Sequence, residues 1–347
     1  MGISLISFII VIGICVLIHE WGHYFTAVWR GIQVHEFALG MGPGIYKKRS
    51  KTGTLWALRI FPIGGYCRFE GDENELRDGD VSDPSKSFGI KRPWERCLVV
   101  AGGAIMNILF AWILTTALLY VNGVNDLESP VIGNLIPEYP AERMGALQGD
   151  RILSINGHAI TEWSEIRSTL QTLDTEEVNI TVRRGDEELS FSGTVPFSEE
   201  NGTRFLGIQI SRIRYPIHKA AYEAMSYCWR ISVLTYQGLW QMVTGRIPMD
   251  VAGPVGIARM AGDAAAQGFW TFITFLAIIN LSLGLLNLLP FPALDGGRLI
   301  FLIWEMVSGR RFPEKWENGI HLVGFMMLMV IIAFVTWNDI AKLLSGN

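Results

Sequence analysis

A chain of 347 residues that is half hydrophobic, only 18% charged and of net charge −4 has the balance of a membrane protein with room for several spans and one soluble module. That charge leaves no case for nucleic-acid binding. The four cysteines (Cys15, Cys67, Cys97, Cys228) form no C-x-x-C and read as small hydrophobes, not as a disulfide framework or a thiolate metal site.

The first element, over 3–29, is almost wholly apolar until it reaches His19-Glu20-Trp21-Gly22-His23. No basic run and no small-residue cleavage site precedes that motif, so the segment reads as a retained membrane helix and not a signal peptide. On a helix, H-E-x-x-H sets two imidazoles on one face, one turn apart, where both can ligate Zn²⁺, with the intervening Glu20 placed to act as general base on water. A charged side chain at mid-bilayer costs roughly 2.5–3.5 kcal/mol on insertion scales, so three ionisable residues in one span require a function.

The segment 30–97 carries about a dozen Lys and Arg, Lys47-Lys48-Arg49 and Lys51 among them, which places it in the cytoplasm and the N-terminus outside. Its apolar runs at 34–38 and 55–61, with Gly-rich turns at 40–44 and Gly53, predict a β-hairpin region at the membrane. His35 and Glu36 read there as a solvated pair. A second span is expected over 98–121.

From 122 to 205 the pattern changes to short β-prone runs with one helical stretch, 162–173. Pro140-Ala141 and the run from Gly145 to Gly157 resemble the core of a PDZ domain in its circularly permuted bacterial form, which implies capture of a peptide or chain end by strand addition. By the charge argument this domain is extracytoplasmic, and His158 in it is expected to be exposed. The segment 206–268 follows as a linker. Its apolar stretch 224–243 has Arg230 at the middle and reads as an amphipathic helix on the outer interface or packed on the bundle. Were it to span, the next helix would run the other way.

The third span, 269–296, closes on Asn287-Leu288-Leu289-Pro290-Phe291-Pro292-Ala293-Leu294-Asp295-Gly296. A catalytic zinc site needs a third protein ligand, and the two prolines end the helix and set the chain extended, so that Asp295 can turn toward a neighbour. Depth agrees: at 1.5 Å per residue His19 lies about 24 Å into a core of about 30 Å, near the cytoplasmic side, where Asp295 also falls. A basic loop and a fourth span, 320–337, complete the chain.

H-E-x-x-H in the first span, N-x-x-P-x-P-x-L-D-G in a later one and a PDZ module between them resemble the site-2 protease family of intramembrane zinc metalloproteases, closest in layout to its bacterial RseP/RasP-like branch. Gly40-Met41-Gly42-Pro43, Phe61-Pro62-Ile63-Gly64-Gly65-Tyr66 and Ala101-Gly102-Gly103-Ala104-Ile105-Met106-Asn107 are similar to that branch's signature stretches. The single PDZ domain argues against its two-PDZ members. The resemblance implies a polytopic α-helical membrane protein of four transmembrane helices with a membrane-associated β-hairpin region and one inserted extracytoplasmic PDZ-like domain. It makes His19, His23 and Asp295 the zinc ligands and Glu20 the general base. Asn287 would help hold substrate or the oxyanion, and Asn107 would play a lesser polar role or serve as packing between helices. Implied substrates are single-pass membrane proteins already trimmed outside, such as anti-sigma factors or remnant signal peptides, in the bacterial cytoplasmic membrane. Two other readings are a metal-transporting membrane protein, which would favour internal repeats that the chain lacks, and an inactive PDZ scaffold, against which the intact Glu20 counts.

Overall fold

The computed structural model describes residues 2–71, 83–198, 203–248 and 251–345. It divides into two compact units, one made of Met1–Thr116 with Ala221–Asn347, the other of Ala117–Ala220.

The first unit opens with α1 (Gly2–Trp29), continues through the long strands β1 (Val34–Arg49) and β2 (Leu55–Phe69), and reaches α2 (Pro93–Asn122). Two strands give four rows of backbone, because each bends back on itself. Phe37 faces Cys67 on one side and Trp56 on the other, while Trp56 in turn faces Lys48. The segment 34–39 is therefore paired along both edges, and Val34 to Ala38 are all buried. His35 and Glu36 are not the solvated pair expected from their polarity: they are 2% and 1% exposed. His35 Nε2 lies 2.7 Å from Glu70 Oε2, and the Arg59 guanidinium donates to Glu36. A charged group taken out of water this completely must be paired. Trp21 and Tyr24 of α1 clasp the sheet through Phe37 and Trp56, with Tyr24–Trp56 and Phe37–Trp56 ring centroids 5.1 and 4.7 Å apart.

The second unit contains β3 (Val124–Asn125), β4 (Ile132–Leu135), α3 (Pro140–Met144), β5 (Arg151–Ile155), β6 (His158–Ala159), α4 (Trp163–Thr172), β7 (Glu177–Arg184), β8 (Glu187–Thr194), β9 (Phe197–Ser198), β10 (Thr203–Arg204), β11 (Ile208–Ile210) and β12 (Arg212–Ile213). A four-stranded sheet ordered β6-β5-β7-β8 carries the alternating core residues Val178, Ile180 and Val182 against Ile152, Ile155, Ile166 and Leu170. The unit runs past residue 205: β11 pairs with β4 and β12 with β3, closing the domain with strands from the segment read as linker. His158 is exposed. Beside α4 lies a groove of about 450 Å³ lined by Trp163, Ile166, Leu170, Leu206 and Ile208.

The first unit resumes with α5 (Ile217–Val243), α6 (Pro254–Ala266), α7 (Phe269–Asn287), α8 (Asp295–Ser308) and α9 (Glu314–Ser345). Among the described residues four helices are long and apolar enough to cross a membrane: Gly2–Trp29, Pro93–Asn122, Phe269–Asn287 and Glu314–Leu344. α5 is not one of them. It packs across α2 and α7, burying Cys228 against Ala111, Leu281 and Leu285. Tyr236 Oη donates to the Leu285 carbonyl at 3.0 Å. α6 lies on α1 with Gly262 against Ser4, and the Asp339 carboxylate of α9 accepts the Gly256 amide at 2.7 Å, satisfying one of the orphan donors at the start of α6.

The third span is shorter than its sequence pattern. α7 stops at Asn287, and α8 is a separate amphipathic helix whose first residue is Asp295. The prolines act as expected in ending the helix, but the chain between is a compact turn instead of an extended strand: Phe291 N bonds to the Leu289 carbonyl at 2.7 Å and Leu294 N to that of Phe291 at 3.2 Å.

Candidate metal centre

His19 and His23 share one face of α1, and the structure brings Asp295 of α8 to them. The two Nε2 atoms are 3.2 Å apart, and Asp295 Oδ2 lies 3.2 Å from that of His19 and 3.4 Å from that of His23. Among the described residues this is the one group of three or more His, Cys, Asp or Glu side chains close enough to share an ion.

Close helix packing builds the centre. Gly22 of α1 and Gly102 of α2 meet backbone to backbone, since a Cβ on Gly102 would come within 2.7 Å of the Gly22 carbonyl oxygen. The neighbouring Gly103 lies directly under both imidazoles, so that a Cβ there would press on His23 Nε2 and reach within 2.7 Å of His19 Cε1. Small residues at such crossings are what allow membrane helices to approach. On the other side of α2, Gly284 of α7 fits against Ala104, where a Cβ would fall 2.8 Å from its carbonyl oxygen. This contact draws α7, and the turn after it, toward α1.

Whether these residues suit a metal can be tested on two features. His23 Nδ1 lies 2.8 Å from the Val99 carbonyl oxygen. A carbonyl only accepts, so Nδ1 carries a proton and Nε2 is the atom left to face Asp295 as a ligand, the second-partner arrangement common to metal-ligating histidines. Asp295 Oδ2 is itself buried with no hydrogen-bond donor among the described residues. Three potential ligand atoms converge here, one of them a buried carboxylate oxygen without a hydrogen bond, which a cation would satisfy. The spacing also fits: donors about 2.0–2.1 Å from a tetrahedral zinc are separated by about 3.3–3.4 Å.

Glu20 is 9% exposed, and its Cγ lies where a side chain on Gly65 of β2 would come within 2.9 Å. The sheet thus packs directly on the turn of α1 that carries the motif. Asn107, one turn beyond Gly103, is wholly buried, and neither end of its amide has a partner among the described residues. It packs beside Gly284. Asn287 donates to the Leu283 carbonyl of its own helix at 3.0 Å. The structure therefore joins His19, His23 and Asp295 directly, while no hydrogen bond joins Asn107 or Asn287 to them among the described residues. In the sequence Gly103 stands only as part of the 101–107 stretch, with no contact implied, and nothing there points to the Val99 carbonyl or to a further buried amide, Asn280, which donates to Leu276 at 3.0 Å. The adjacent Gly102-Gly103 pair in an apolar helix was the available signal for the first of these.

Residues 7–331 match peptidase family M50. A Clostridium perfringens relative is 34% identical, the alignment covering 94% of this chain and 95% of that one. The Regulator of sigma-W protease RasP of Bacillus subtilis is 29% identical over 98% of this chain and 99% of its own, as is the Zinc metalloprotease RasP of Geobacillus kaustophilus over 98% of each. The PDZ domain of an SdrC-like protein from Listeria monocytogenes aligns with 24% of this chain and 87% of its own, at 20% identity and a TM-score of 0.22. The length of the family match and the near-complete coverage of these relatives establish that the chain belongs to peptidase family M50, as a site-2-type metalloprotease.

Proposed function

We propose that this chain is an intramembrane zinc metalloprotease in which His19, His23 and Asp295 hold the metal and Glu20 is the general base, acting on single-pass transmembrane segments after their ectodomains have been trimmed. The observation that carries the reading is the convergence of three acceptor atoms from two helices within 3.2–3.4 Å, inside an apolar bundle. Bound there, zinc supplies Lewis acidity that activates water and polarises the scissile carbonyl. Glu20, adjacent to His19 and shielded by the sheet, takes the proton of the attacking water as its oxygen bonds the carbonyl carbon, and delivers it to the amine as the C–N bond breaks. A helical substrate must unwind to offer that carbonyl. The edges of the β1–β2 sheet, packed on the same turn of α1, support backbone pairing that would hold the unwound segment extended. Asn287, at the end of α7, would help hold the substrate or its developing oxyanion, and Asn107 serves as packing between α2 and α7.

The basic loops support an orientation with the N-terminus and the PDZ unit outside the bacterial cytoplasmic membrane and the metal centre near its inner face. The PDZ unit screens shortened ectodomains by their chain ends, and anti-sigma factors or remnant signal peptides have the required single span. Cleavage of a reporter membrane peptide by the purified chain, blocked by a chelator and restored by Zn²⁺, tests the proposal. A chain that binds zinc without cutting any single-span peptide would overturn it.

A further inference from the structure

Ala293 lies two residues ahead of Asp295 with φ +78°, in the left-handed region. Only two other described non-glycine residues share that sign, Glu138 and Asn156. Asn tolerates it through its short polar side chain, but alanine has a Cβ that clashes and no side-chain bond to compensate. The conformation must be imposed by neighbours. Its consequence is local and specific: Leu294 follows as an extended residue, and Asp295 begins α8 at the point nearest the two histidines.

The support comes from α9. The Ala293 N–H donates to His321 Nδ1 at 2.9 Å. The His321 ring is in turn set edge-on to Phe301 of α8, centroids 5.7 Å apart. One turn further along α9, Gly324 seats Pro292 so closely that a Cβ there would overlap the proline ring and come within 2.7 Å of its carbonyl carbon. One turn of α9 thus grips both residues of the Pro292-Ala293 pair, by a hydrogen bond and by close contact.

We propose that His321 is a positioning residue for the metal centre: by accepting the Ala293 amide it holds the left-handed turn that aims the Asp295 carboxylate at His19 and His23. The inference rests on the reading that these three side chains bind zinc. It assigns His321 no contact with metal or substrate, because the nitrogen on that side is committed to the backbone. Loss of an outer partner of this kind lowers metal affinity by about 10–100-fold.

The test uses the detergent-purified full chain, with Zn²⁺ competed against a chromophoric chelator. His321→Leu is expected to weaken zinc at least about tenfold while helix content is retained. His321→Asn, whose side-chain oxygen can replace Nδ1 as acceptor, is expected to recover most of that affinity. So is the double variant Ala293→Gly/His321→Leu, because glycine adopts the turn without support. A purely structural role for His321 would not be cancelled by a glycine at residue 293. If the leucine variant does not fold, His321→Gln, with its acceptor displaced by one methylene, takes its place. Wild-type affinity in the leucine variant, or no recovery in either rescue, overturns the inference. Asp295→Ala separates the two levels. If it keeps zinc, the ligand assignment and this inference fall together; if it loses zinc while the His321 variant does not, only the inference falls.

Discussion

Gly103 of the second helix lies beneath the His23 imidazole with no room for a methyl group between them. The contact fixes how near α2 can come to α1 and at what height the ring nitrogens stand. Gly103→Ala is therefore expected to push His19 and His23 aside, lowering zinc affinity by about tenfold or more and cleavage with it. A chelator titration checks this, and an alanine variant that binds zinc as the wild type does would show that the helices can yield.

Metal binding and proton transfer are separable in this centre. Glu20→Gln is nearly isosteric and leaves His19, His23 and Asp295 in place, so zinc content should persist while turnover falls by about 10²–10⁴-fold, the usual contribution of a general base. Appreciable residual cleavage defeats the assignment. His23→Ala or Asp295→Ala should instead deplete the metal itself, measured by elemental analysis of the purified protein.

The second unit should be removable only along its own seams. Because β11 pairs with β4 and β12 with β3, a deletion of 129–197 removes β4 and leaves β11 without its partner. Excising 124–213 takes all of them together and should leave zinc stoichiometry unchanged while altering which substrates are cut. Competition between full-length and pre-trimmed substrates would detect the change; identical selectivity in the two proteins would argue against a screening role.

A pH response is expected from the second unit through Asp150. Burial pushes its carboxyl upward, but the Arg184 guanidinium, bonding both carboxylate oxygens at 2.8 Å, and the Leu147 amide more than offset that and hold it below the ordinary carboxylate value. A depressed folded-state value means stabilisation that is full above the unfolded-state value of about 3.9 and is lost as the pH falls through the folded one. Asp150→Asn should thus destabilise the unit at pH 7 and converge on the wild type in strong acid. Thermal unfolding across pH 2–7 measures this, and a constant difference at every pH would exclude the ion pair as the cause.

What could be read from residues alone was whatever the backbone repeats locally. The 3.6-residue period puts His19 and His23 on one face, and apolar runs of sufficient length announce the spans. The alternating pattern with Gly-Asp and Asn-Gly turns likewise announced a β module. The dissolution of the third span into α7, a turn and α8 was half legible: Pro290 and Pro292 forbid continued helix, but nothing local requires the left-handed Ala293 that starts a new one. His35 and Glu36 misled because polarity predicts exposure only when the strand has a free face, and this strand is paired on both edges beneath α1.

The sequence by itself determined the chemistry available: two imidazoles, a neighbouring carboxylate and a distant aspartate placed in apolar surroundings, a set that suits a divalent transition metal such as zinc. Only the tertiary structure decided that the aspartate arrives. That depends on contacts between residues far apart in the chain, Gly22 on Gly102, Gly103 under His23, Gly284 on Ala104 and His321 on Ala293. Each is set by how closely two helices or a helix and a turn can pack, which no local period encodes.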